Sequence, residues 1–336
     1  MKNEMKKEFI NIFALMCIIL LTIAGSSCTN PKDNKNKIFT VGITQIATNP
    51  GIDAIRQGFL EEMKKLGYEE GVNINYYQTN ANGDMAVAQS IAQKYVSDKC
   101  DLIFPITTPS SQACAKAIKG TDIPLVFGAV TDPVAAGLVD SLESPGGNIS
   151  GTSDKWPVAE QFGLLLQLVP NVKKIGVIYN PGETNSEANI KEVEKVCYTR
   201  NLALVKVPVS NTNEVYAAAQ SLVGRCDAFY IPADNTVITA MEAVVKVSEQ
   251  NKIPLLPGVS SNIKQGGFGT IGPDYYDIGV ESAKIADKVL KGKKAGDIPV
   301  ATAKRFEYFF NKRSAEATGV NIPSELFEQE VAKVFK

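Results

Sequence analysis

The feature that most constrains the fold of this chain is an internal repeat of three strand-like segments. The segments begin at Val41, Asp101 and Ile123, and their counterparts begin at Ile175, Asp227 and Ile253. The offsets are 134, 126 and 130 residues, so they are nearly constant along the repeat. A constant offset over three separate strands predicts two homologous lobes. We place their junction at about residues 148–157 and expect a cleft between them.

The segments between these strands have helical spacing of apolar residues. A strand predicted over Ile38–Thr44 is followed by a helix over Ile52–Leu66, which Gly67 ends. The same alternation continues through both halves of the chain. Strands separated by helices of about 10–15 residues indicate βαβ units and parallel sheets covered on both faces. The predicted fold class is therefore α/β, with two doubly wound, Rossmann-like lobes.

The C-terminal third is predicted to cross between the lobes. We expect the helix Tyr275–Leu290 to return to the first lobe and the following segment to finish in the second. The first lobe would then hold residues 38–152 and about 273–300. The second would hold residues 153–272 and about 301–336. Several crossovers of this kind predict a hinge.

Two further helices are predicted along the chain. One is a short helix near Pro133–Leu142, beginning after the capping residue Asp132. The other is a continuous helix over Thr236–Glu249, where apolar residues recur at helical spacing.

The composition excludes several kinds of chemistry. Among 336 residues there is no histidine, which removes Ser-His-Asp and Cys-His nucleophile systems and most zinc sites. The net charge is −1, and no basic run outside the N-terminus suggests a nucleic-acid partner. The sequence contains neither the GxxxxGK[ST] spacing nor a strand–GxGxxG–helix order, and we expect no cofactor. A binding protein is favoured over an enzyme.

The first 28 residues have the pattern of a targeting segment. Three lysines among the first seven residues precede an apolar run of 16 residues, Phe9–Ala24, which is short for a membrane span. Small residues and then Cys28 follow, which resembles a bacterial lipoprotein signal with Cys28 as the lipidated N-terminus. Gly25 stands where such signals usually carry Leu, which keeps plain secretion as the alternative. Residues 29–37 are polar and are predicted to form a flexible tether.

Four cysteines remain beyond the targeting segment: Cys100, Cys114, Cys197 and Cys226. None has CxxC spacing, so a metal or redox pair has little support. They are predicted to be small buried residues. A Cys197–Cys226 disulfide is the alternative, because a helix end and the start of the next strand could meet there.

The candidate ligand site follows from the rule that open parallel sheets bind ligands beyond the carboxyl ends of their strands. The third strand is followed by Thr108, a predicted N-cap, and by Pro109 in the first helical turn. Free N–H groups of Ser110 and Ser111 would receive a carboxylate at this helix terminus. Ordinary capping is the alternative explanation.

Acidic and amide residues follow the other strands. Asp154 lies on the crossover and Asp234 opens a helix, and either could hold an ammonium group. Asp132 is a further candidate, although capping alone would account for it. Asn185 and Asn235 are predicted to contact the ligand from across the cleft, with capping again the alternative.

Further candidates line the same strand ends. Gln45 ends the first strand, whereas Phe127 and Tyr275 are candidates for a pocket wall. Trp156, the sole tryptophan, could stack on a ligand, but packing between the lobes is the favoured interpretation.

Several motifs together resemble one family, the substrate-binding lipoproteins of ABC importers of the tryptophan/tyrosine-binding type. The motifs are Gly42–Gln45, Asp53–Phe59, Val130–Leu138, Pro145–Asn148, Ser153–Asp154, Ile175–Ser186, Pro232–Val237 and Asp274–Gly279. The resemblance runs from about residue 38 to 300. It implies a type I periplasmic-binding-protein fold and a monomeric, extracytoplasmic, lipid-anchored solute receptor. It also implies an ABC permease and its ATPase as partners, and an aromatic amino acid as ligand.

Two residues near the cleft depart from that family. Asn49 stands where many members have His before Pro50, and Trp156 is not typical. Both departures bear on which ligand is bound.

The function expected is a two-lobe trap, in which closure about the crossovers buries the ligand. A sensory receptor domain coupled to a membrane signalling protein is the alternative. An enzyme using Asp132 and Asp154 as paired carboxylates is a weaker alternative, because no nucleophile–base pair accompanies them.

Overall fold

The computed structural model describes residues 37–303, 305–329 and 332–335. The predicted signal segment, lipidation of Cys28 and most of the tether lie outside the described residues. None of the helices within these ranges is long and apolar enough to cross a membrane.

The strands of the described ranges fall in three sheets. They are β1 Phe39–Gln45, β2 Ile74–Asn80, β3 Leu102–Ile106, β4 Leu125–Phe127, β5 Ile149–Ser153, β6 Lys174–Tyr179, β7 Ala203–Pro208, β8 Ala228–Ile231, β9 Leu255–Pro257, β10 Gly269–Gly272, β11 Ala301–Thr302, β12 Glu307–Asn311 and β13 Ala332–Phe335.

The helices cover the sheet faces. They are α1 Pro50–Lys65, α2 Met85–Ser97, α3 Thr108–Ala117, α4 Val158–Leu168, α5 Thr184–Thr199, α6 Val215–Ser221, α7 Asn235–Thr239, α8 Met241–Asn251, α9 Tyr275–Leu290, α10 Lys312–Thr318 and α11 Ser324–Phe327, with short 3₁₀ turns at Thr212–Glu214, Ser260–Lys264 and Ala295–Asp297.

The first lobe is built on a parallel six-stranded sheet in the order β11-β5-β4-β3-β1-β2. The second lobe holds a parallel four-stranded sheet in the order β7-β6-β8-β9. This order is the same as β2-β1-β3-β4 in the first lobe. The α/β class and the doubly wound parallel sheets are therefore confirmed.

The repeat extends to the pairing of individual residues. Val41 pairs with Leu102 across β1 and β3, and Ile175 pairs with Ala228 across β6 and β8. These four positions are related by the same offsets, 134 and 126, that the sequence repeat shows. The repeated segments therefore occupy equivalent strands.

One hydrogen bond recurs at the same place in both lobes. The N–H of Thr40 donates to the Asp101 carboxylate at 2.8 Å, and the N–H of Lys174 donates to the Asp227 carboxylate at 2.8 Å. Each aspartate precedes the strand beside the first strand of its lobe. The repeated aspartates thus tie corresponding strand starts together.

The C-terminal part of the chain passes between the lobes. β10 pairs antiparallel with β12, which pairs parallel with β13, and this third sheet has no counterpart among the described strands of the first lobe. α9 packs along α1 of the first lobe. β11 lies in the segment predicted for the second lobe, but it pairs with β5 and belongs to the first sheet. The chain therefore crosses between lobes after β5, after β10 and after β11.

The predictions for Pro133–Leu142 and Thr236–Glu249 were wrong, because the first helix is not formed and the second is divided. The segment after Asp132 forms turns only, and Gly137 leaves the helical region with a φ of 70°. The predicted helix Thr236–Glu249 is two helices, α7 and α8, which meet at Ala240, where φ is −104° and ψ is 24°. Apolar periodicity does not register such a local break, because the pattern continues on both sides.

The four cysteines are buried free thiols, so the alternative Cys197–Cys226 disulfide is not formed. Burial raises the pKa of Cys197 and Cys226 to about 11 and of Cys114 to about 12. Because the thiolate is the reactive form, we expect the native protein to react very slowly with a thiol-specific reagent at neutral pH. Denaturation without reductant should release all four thiols. Detection of two thiols fewer than this would contradict the free state of the four cysteines.

Candidate functional site

A small cavity lies between the lobes, at the carboxyl ends of the strands of both parallel sheets. Its volume is about 20 Å³, enough for about one water molecule. Its lining comes from both lobes and from two crossovers: Thr107, Thr108, Ala129, Thr131, Asp154, Asn185, Ala233, Asn235, Ile238 and Tyr275.

A larger chamber of about 800 Å³ lies at the mouth of the cleft. Met85 and Pro109 line it from the first lobe, Glu183 lines it from the second, and Asn235 lines both the chamber and the inner cavity. The lobes touch beside it, where the amide of Gln112 donates to Thr184 at 3.3 Å. The cleft is thus closed over its inner part, and a ligand larger than a water molecule needs the lobes to separate before it can enter.

The backbone at the inner cavity is strained at two positions. Thr107 has a φ of 73° and a ψ of 165°, and Ala129 has a φ of 54°. A positive φ is uncommon for residues with a Cβ and is most costly for a β-branched residue such as Thr107. Strain of this kind clusters at ligand sites, where it holds polar groups in place.

Buried hydroxyl groups that lack a partner within the described ranges cluster at the start of α3, where Thr107 and Thr108 line the cavity and Ser110 follows them. The hydroxyls of Thr107, Thr108 and Ser110 are buried and have no hydrogen-bond partner among the described residues. The N–H groups of Thr108 and Ser110 belong to the first helical turn, where they have no intrahelical acceptor. Hydroxyl and N–H donors at a helix N-terminus form a receptor for a carboxylate.

Ser111 is engaged elsewhere, contrary to the expectation that its N–H is free. Its N–H and its hydroxyl both donate to the carbonyl of Thr107, at 3.1 and 2.7 Å. The helix begins at Thr108 with Thr107 as N-cap, one residue earlier than predicted. This shift brings the N–H of Ser111 into the first helical hydrogen bond.

Asp154 is the buried acid of the cavity. Its carboxylate accepts hydrogen bonds from Tyr275 at 2.7 Å, Thr131 at 3.0 Å and the indole of Trp156 at 3.3 Å. Tyr275 and Trp156 stand on different crossovers, and their ring centroids are 5.5 Å apart. Trp156 also packs on Gly272, where a Cβ would lie 2.0 Å from the indole ring. Asp154 therefore lies where the lobes join.

The second lobe contributes two amide side chains. Asn185 on α5 is buried, and its Oδ1 has no partner among the described residues. Asn235 opens α7 and lines the cavity beside it. Both were sequence candidates, and the structure brings them opposite the start of α3.

Besides Ser110 and Ser111, four sequence candidates lie outside the cavity lining, namely Gln45, Phe127, Asp132 and Asp234. The amide of Gln45 donates to the Ala47 carbonyl, and Phe127 is fully buried in the core of the first sheet. Asp132 is exposed and caps the following turn by accepting from the Ala135 N–H. Strand-end position alone could not distinguish these residues, because side chains alternate in direction along a strand.

The carboxylate of Asp234 also forms its hydrogen bonds within its own lobe. Its carboxylate accepts from the N–H of Asn180, the hydroxyl of Ser186 and the N–H of Val237, so it caps α7 and ties loops together. Burial, and next the charge of Glu183, raise the pKa of Asp234.

Sequence reasoning did not select Glu183, Thr107, Thr131, Ala129, Ala233 or Ile238. Glu183 lies in the motif Ile175–Ser186, which was quoted for the resemblance, so that signal was available. The others depend on backbone conformation or on closure of the lobes. Across the described ranges, no group of three His, Cys, Asp or Glu side chains is placed to hold a metal ion.

The two lobes, their three crossovers and the polar cavity between them define a two-lobed binding protein with the type I periplasmic-binding-protein fold. Residues 40–334 match the family model for ABC transporter substrate binding protein. The chain belongs to this family. Proteins of the family bind small molecules outside the cytoplasm and deliver them to a membrane permease.

Individual relatives are similar over most of the chain. A tyrosine-binding protein of Clostridioides difficile (strain R20291) is 41% identical over 294 residues, which cover 88% of this chain and 85% of the relative. The structure of an ABC domain in complex with L-Trp from Streptococcus pneumonia is 30% identical, with a TM-score of 0.85 over 89% of this chain and 100% of that chain.

A ligand-free, open structure gives a useful contrast. It belongs to a substrate binding protein with adhesive properties from Clostridium difficile, is 38% identical and covers 89% of this chain and 99% of that chain. Its TM-score is only 0.68, below the 0.85 of the less identical L-Trp complex. The lobe arrangement here is therefore closer to that of the L-Trp complex, in agreement with the closed inner cleft.

Proposed function

We propose that this protein binds a free aromatic amino acid, with L-tyrosine as the first candidate, in the cleft between its lobes, where separation of the lobes widens the small inner cavity enough to admit it. The name of the 41% identical relative and the bound L-Trp of a second relative support this ligand class. The proposal rests mainly on one observation: hydrogen-bond donors without partners in the described structure and a buried carboxylate acceptor lie in the same part of the cleft. Unpartnered hydroxyl donors lie on one side, and the buried Asp154 carboxylate lies beside them.

The two groups suit the two charges of an amino acid. The ligand carboxylate would accept from Thr107, Thr108 and Ser110 at the start of α3. The ligand ammonium would donate to Asp154. Apolar members of the lining, such as Ala129 and Ile238, would contact the side chain. No cofactor is required.

Closure supplies the trapping step. An open protein would bind the ligand on one lobe, and bending at the crossovers would bring Asn185 and Asn235 against it. A ligand drives closure only through its greater affinity for the closed state. The closed form would then dock on an ABC permease driven by its ATPase. We further propose that the chain acts as a monomer anchored through a lipidated Cys28.

Calorimetry tests this function. The protein is first freed of bound small molecules by unfolding and refolding, then titrated with L-tyrosine, L-tryptophan and L-phenylalanine. Saturable binding of at least one of them is expected, with no binding of L-glutamate. Absence of heat with all three, in protein whose refolding is verified by its circular dichroism, would reject the aromatic ligand.

The affinity should fall on acidification. Burial raises the pKa of the Asp154 carboxyl above its ordinary value of 3.8, against opposing hydrogen bonds from Tyr275, Thr131 and Trp156. The neutral carboxyl cannot pair with an ammonium, so affinity should drop about tenfold per pH unit below the raised pKa.

The stability of the ligand-free protein should change in the opposite direction. A raised acid pKa means that the folded state binds its proton more tightly than the unfolded state. The contribution of Asp154 to stability therefore grows as the pH falls from the raised pKa towards 3.8. Titrations and thermal unfolding over this pH range measure both trends, and a flat affinity would contradict the role of Asp154.

A further inference from the structure

Glu183 is a buried carboxylate that holds the two amide side chains of the second lobe. It precedes α5 as its N-cap and is 8% exposed. Its oxygens accept hydrogen bonds from the side chains of Asn185, Asn235 and Thr236, at 3.1, 2.6 and 2.7 Å. The backbone N–H groups of Asn235 and Thr236 donate to it as well, at 3.0 and 2.9 Å. All of its acceptor capacity is therefore used within the second lobe.

These contacts fix which way the Asn185 amide points. Its Nδ2 donates both to Glu183 and to the carbonyl of Ala233, at 3.1 and 2.7 Å. The opposite orientation would place an amide oxygen against two acceptors, which is repulsive. Oδ1 must therefore face away from Glu183. That atom is buried, and within the described part of the chain it has no partner.

Asn235 is held in the same way. Its backbone N–H and its Nδ2 both donate to the same oxygen of Glu183, so the side chain is clamped against its own backbone. Nδ2 donates one of its hydrogens to Glu183, so Oδ1 points away from that carboxylate and can accept from a ligand in the cavity that Asn235 lines. Glu183 thus aligns two amides as hydrogen-bond acceptors.

Holding this carboxylate has an electrostatic cost. Burial and the charge of Glu183 both raise the pKa of the neighbouring Asp234 carboxyl. A hydrogen-bonded connection between two loops does not require a charged side chain, and the buried carboxylates of Glu183 and Asp234 repel each other. Only an ionised acid, however, accepts from all of these donors without offering a donor of its own. The cost is therefore consistent with a role in ligand recognition.

Resting on the function proposed above, we infer that Glu183 is a positioning residue that makes the second lobe selective for an ammonium group. The oxygens of Asn185 and Asn235 accept from the α-ammonium as the lobes close and complete the contact that Asp154 begins. A 2-hydroxy acid of the same shape can donate only one hydrogen bond at this position, so it binds more weakly.

Two ligands and two variants of the full-length protein, Glu183→Gln and the control Glu187→Gln, test this inference. Calorimetry compares L-tyrosine with 4-hydroxyphenyllactate, its 2-hydroxy analogue, for the wild type and for Glu183→Gln. The glutamine amide turns an N–H donor towards the donors of Asn185, Asn235 and Thr236. The side-chain amides of Asn185 and Asn235 should therefore reorient. L-tyrosine affinity should fall about tenfold or more, as expected for a lost hydrogen bond to a charged group. Affinity for the hydroxy acid should change far less, so the preference for the amine collapses.

A control and a fallback keep the result interpretable. Glu187→Gln changes a glutamate in the first turn of the same helix that lines neither cavity and should keep the wild-type preference. If Glu183→Gln does not fold, Glu183→Asp replaces it. Aspartate keeps the negative charge but is one methylene shorter, so it should reduce the preference for the amine only in part. A parallel fall for both ligands in the variant that folds would show a structural role only and overturn the inference. A wild type that binds neither ligand would instead reject the proposed function, and this inference with it.

Discussion

Replacing Asp154 with asparagine is expected to reduce the affinity for L-tyrosine at least about 100-fold, or about 3 kcal/mol. The substitution removes the buried charge that we pair with the ligand ammonium, while the side-chain shape stays the same. The thermal stability of the ligand-free protein should be kept or increased, because an unpaired buried carboxylate is costly. Calorimetry and thermal unfolding of the same preparation measure the two effects.

Asp132→Asn provides the matched control for this prediction. Asp132 precedes β5 in the same lobe and was also a candidate from the sequence, but it is exposed and caps a turn. Its substitution should leave the affinity unchanged. If Asp132→Asn lost affinity and Asp154→Asn did not, the carboxylate that binds the ligand would have been misassigned.

Replacing Gly279 with alanine is expected to destabilise the first lobe by about 3 kcal/mol, near the upper end of the usual cost of overpacking. Gly279 lies on α9 where that helix packs along α1, and a Cβ there would lie 2.0 Å from the carbonyl oxygen of Ile55 and 2.8 Å from the N of Phe59. These are backbone atoms, so the helices must move apart to accept the methyl group. The midpoint of chemical unfolding measures the loss.

Gly163→Ala is the matched control, because it makes the same change on another helix. A Cβ at Gly163 on α4 would meet only the Arg200 guanidinium, at 3.8 Å. Alanine should therefore stabilise the protein by up to about 1 kcal/mol through helix propensity alone. Destabilisation of equal size in both variants would show that close helix packing is not what Gly279 provides.

Most of the fold could be predicted from the internal repeat, because its offsets follow from the periodic alternation of strands and helices. It anticipated equivalent strands beginning near Val41 and Ile175 and even aspartates in equivalent positions, Asp101 and Asp227. Pattern reasoning failed at Ala240, where one residue breaks a helix without disturbing the apolar spacing. It also failed near Ala301, where a two-residue strand is too short to leave a signal.

For the candidate site, chain position identified the right strand ends but not the direction of each side chain. Thr108 and Asp154 line the cavity, whereas Asp234 occupies an equally polar position and is used within its own lobe. The positive φ of Thr107 and the orientation of the Asn185 amide arise from tertiary contacts. Sequence periodicity contains no record of either.

Binding beside Asp154 can be followed through Trp156, the sole tryptophan, whose indole donates to Asp154 at 3.3 Å where the lobes join. Its emission can be excited at the red edge of tryptophan absorption, where L-tyrosine does not absorb. If L-tyrosine binds beside Asp154, this emission changes saturably as L-tyrosine is added, with the affinity found by calorimetry, and it does not change in Asp154→Asn. Emission that stays constant at concentrations where calorimetry shows binding would place the ligand away from Asp154 and contradict the account.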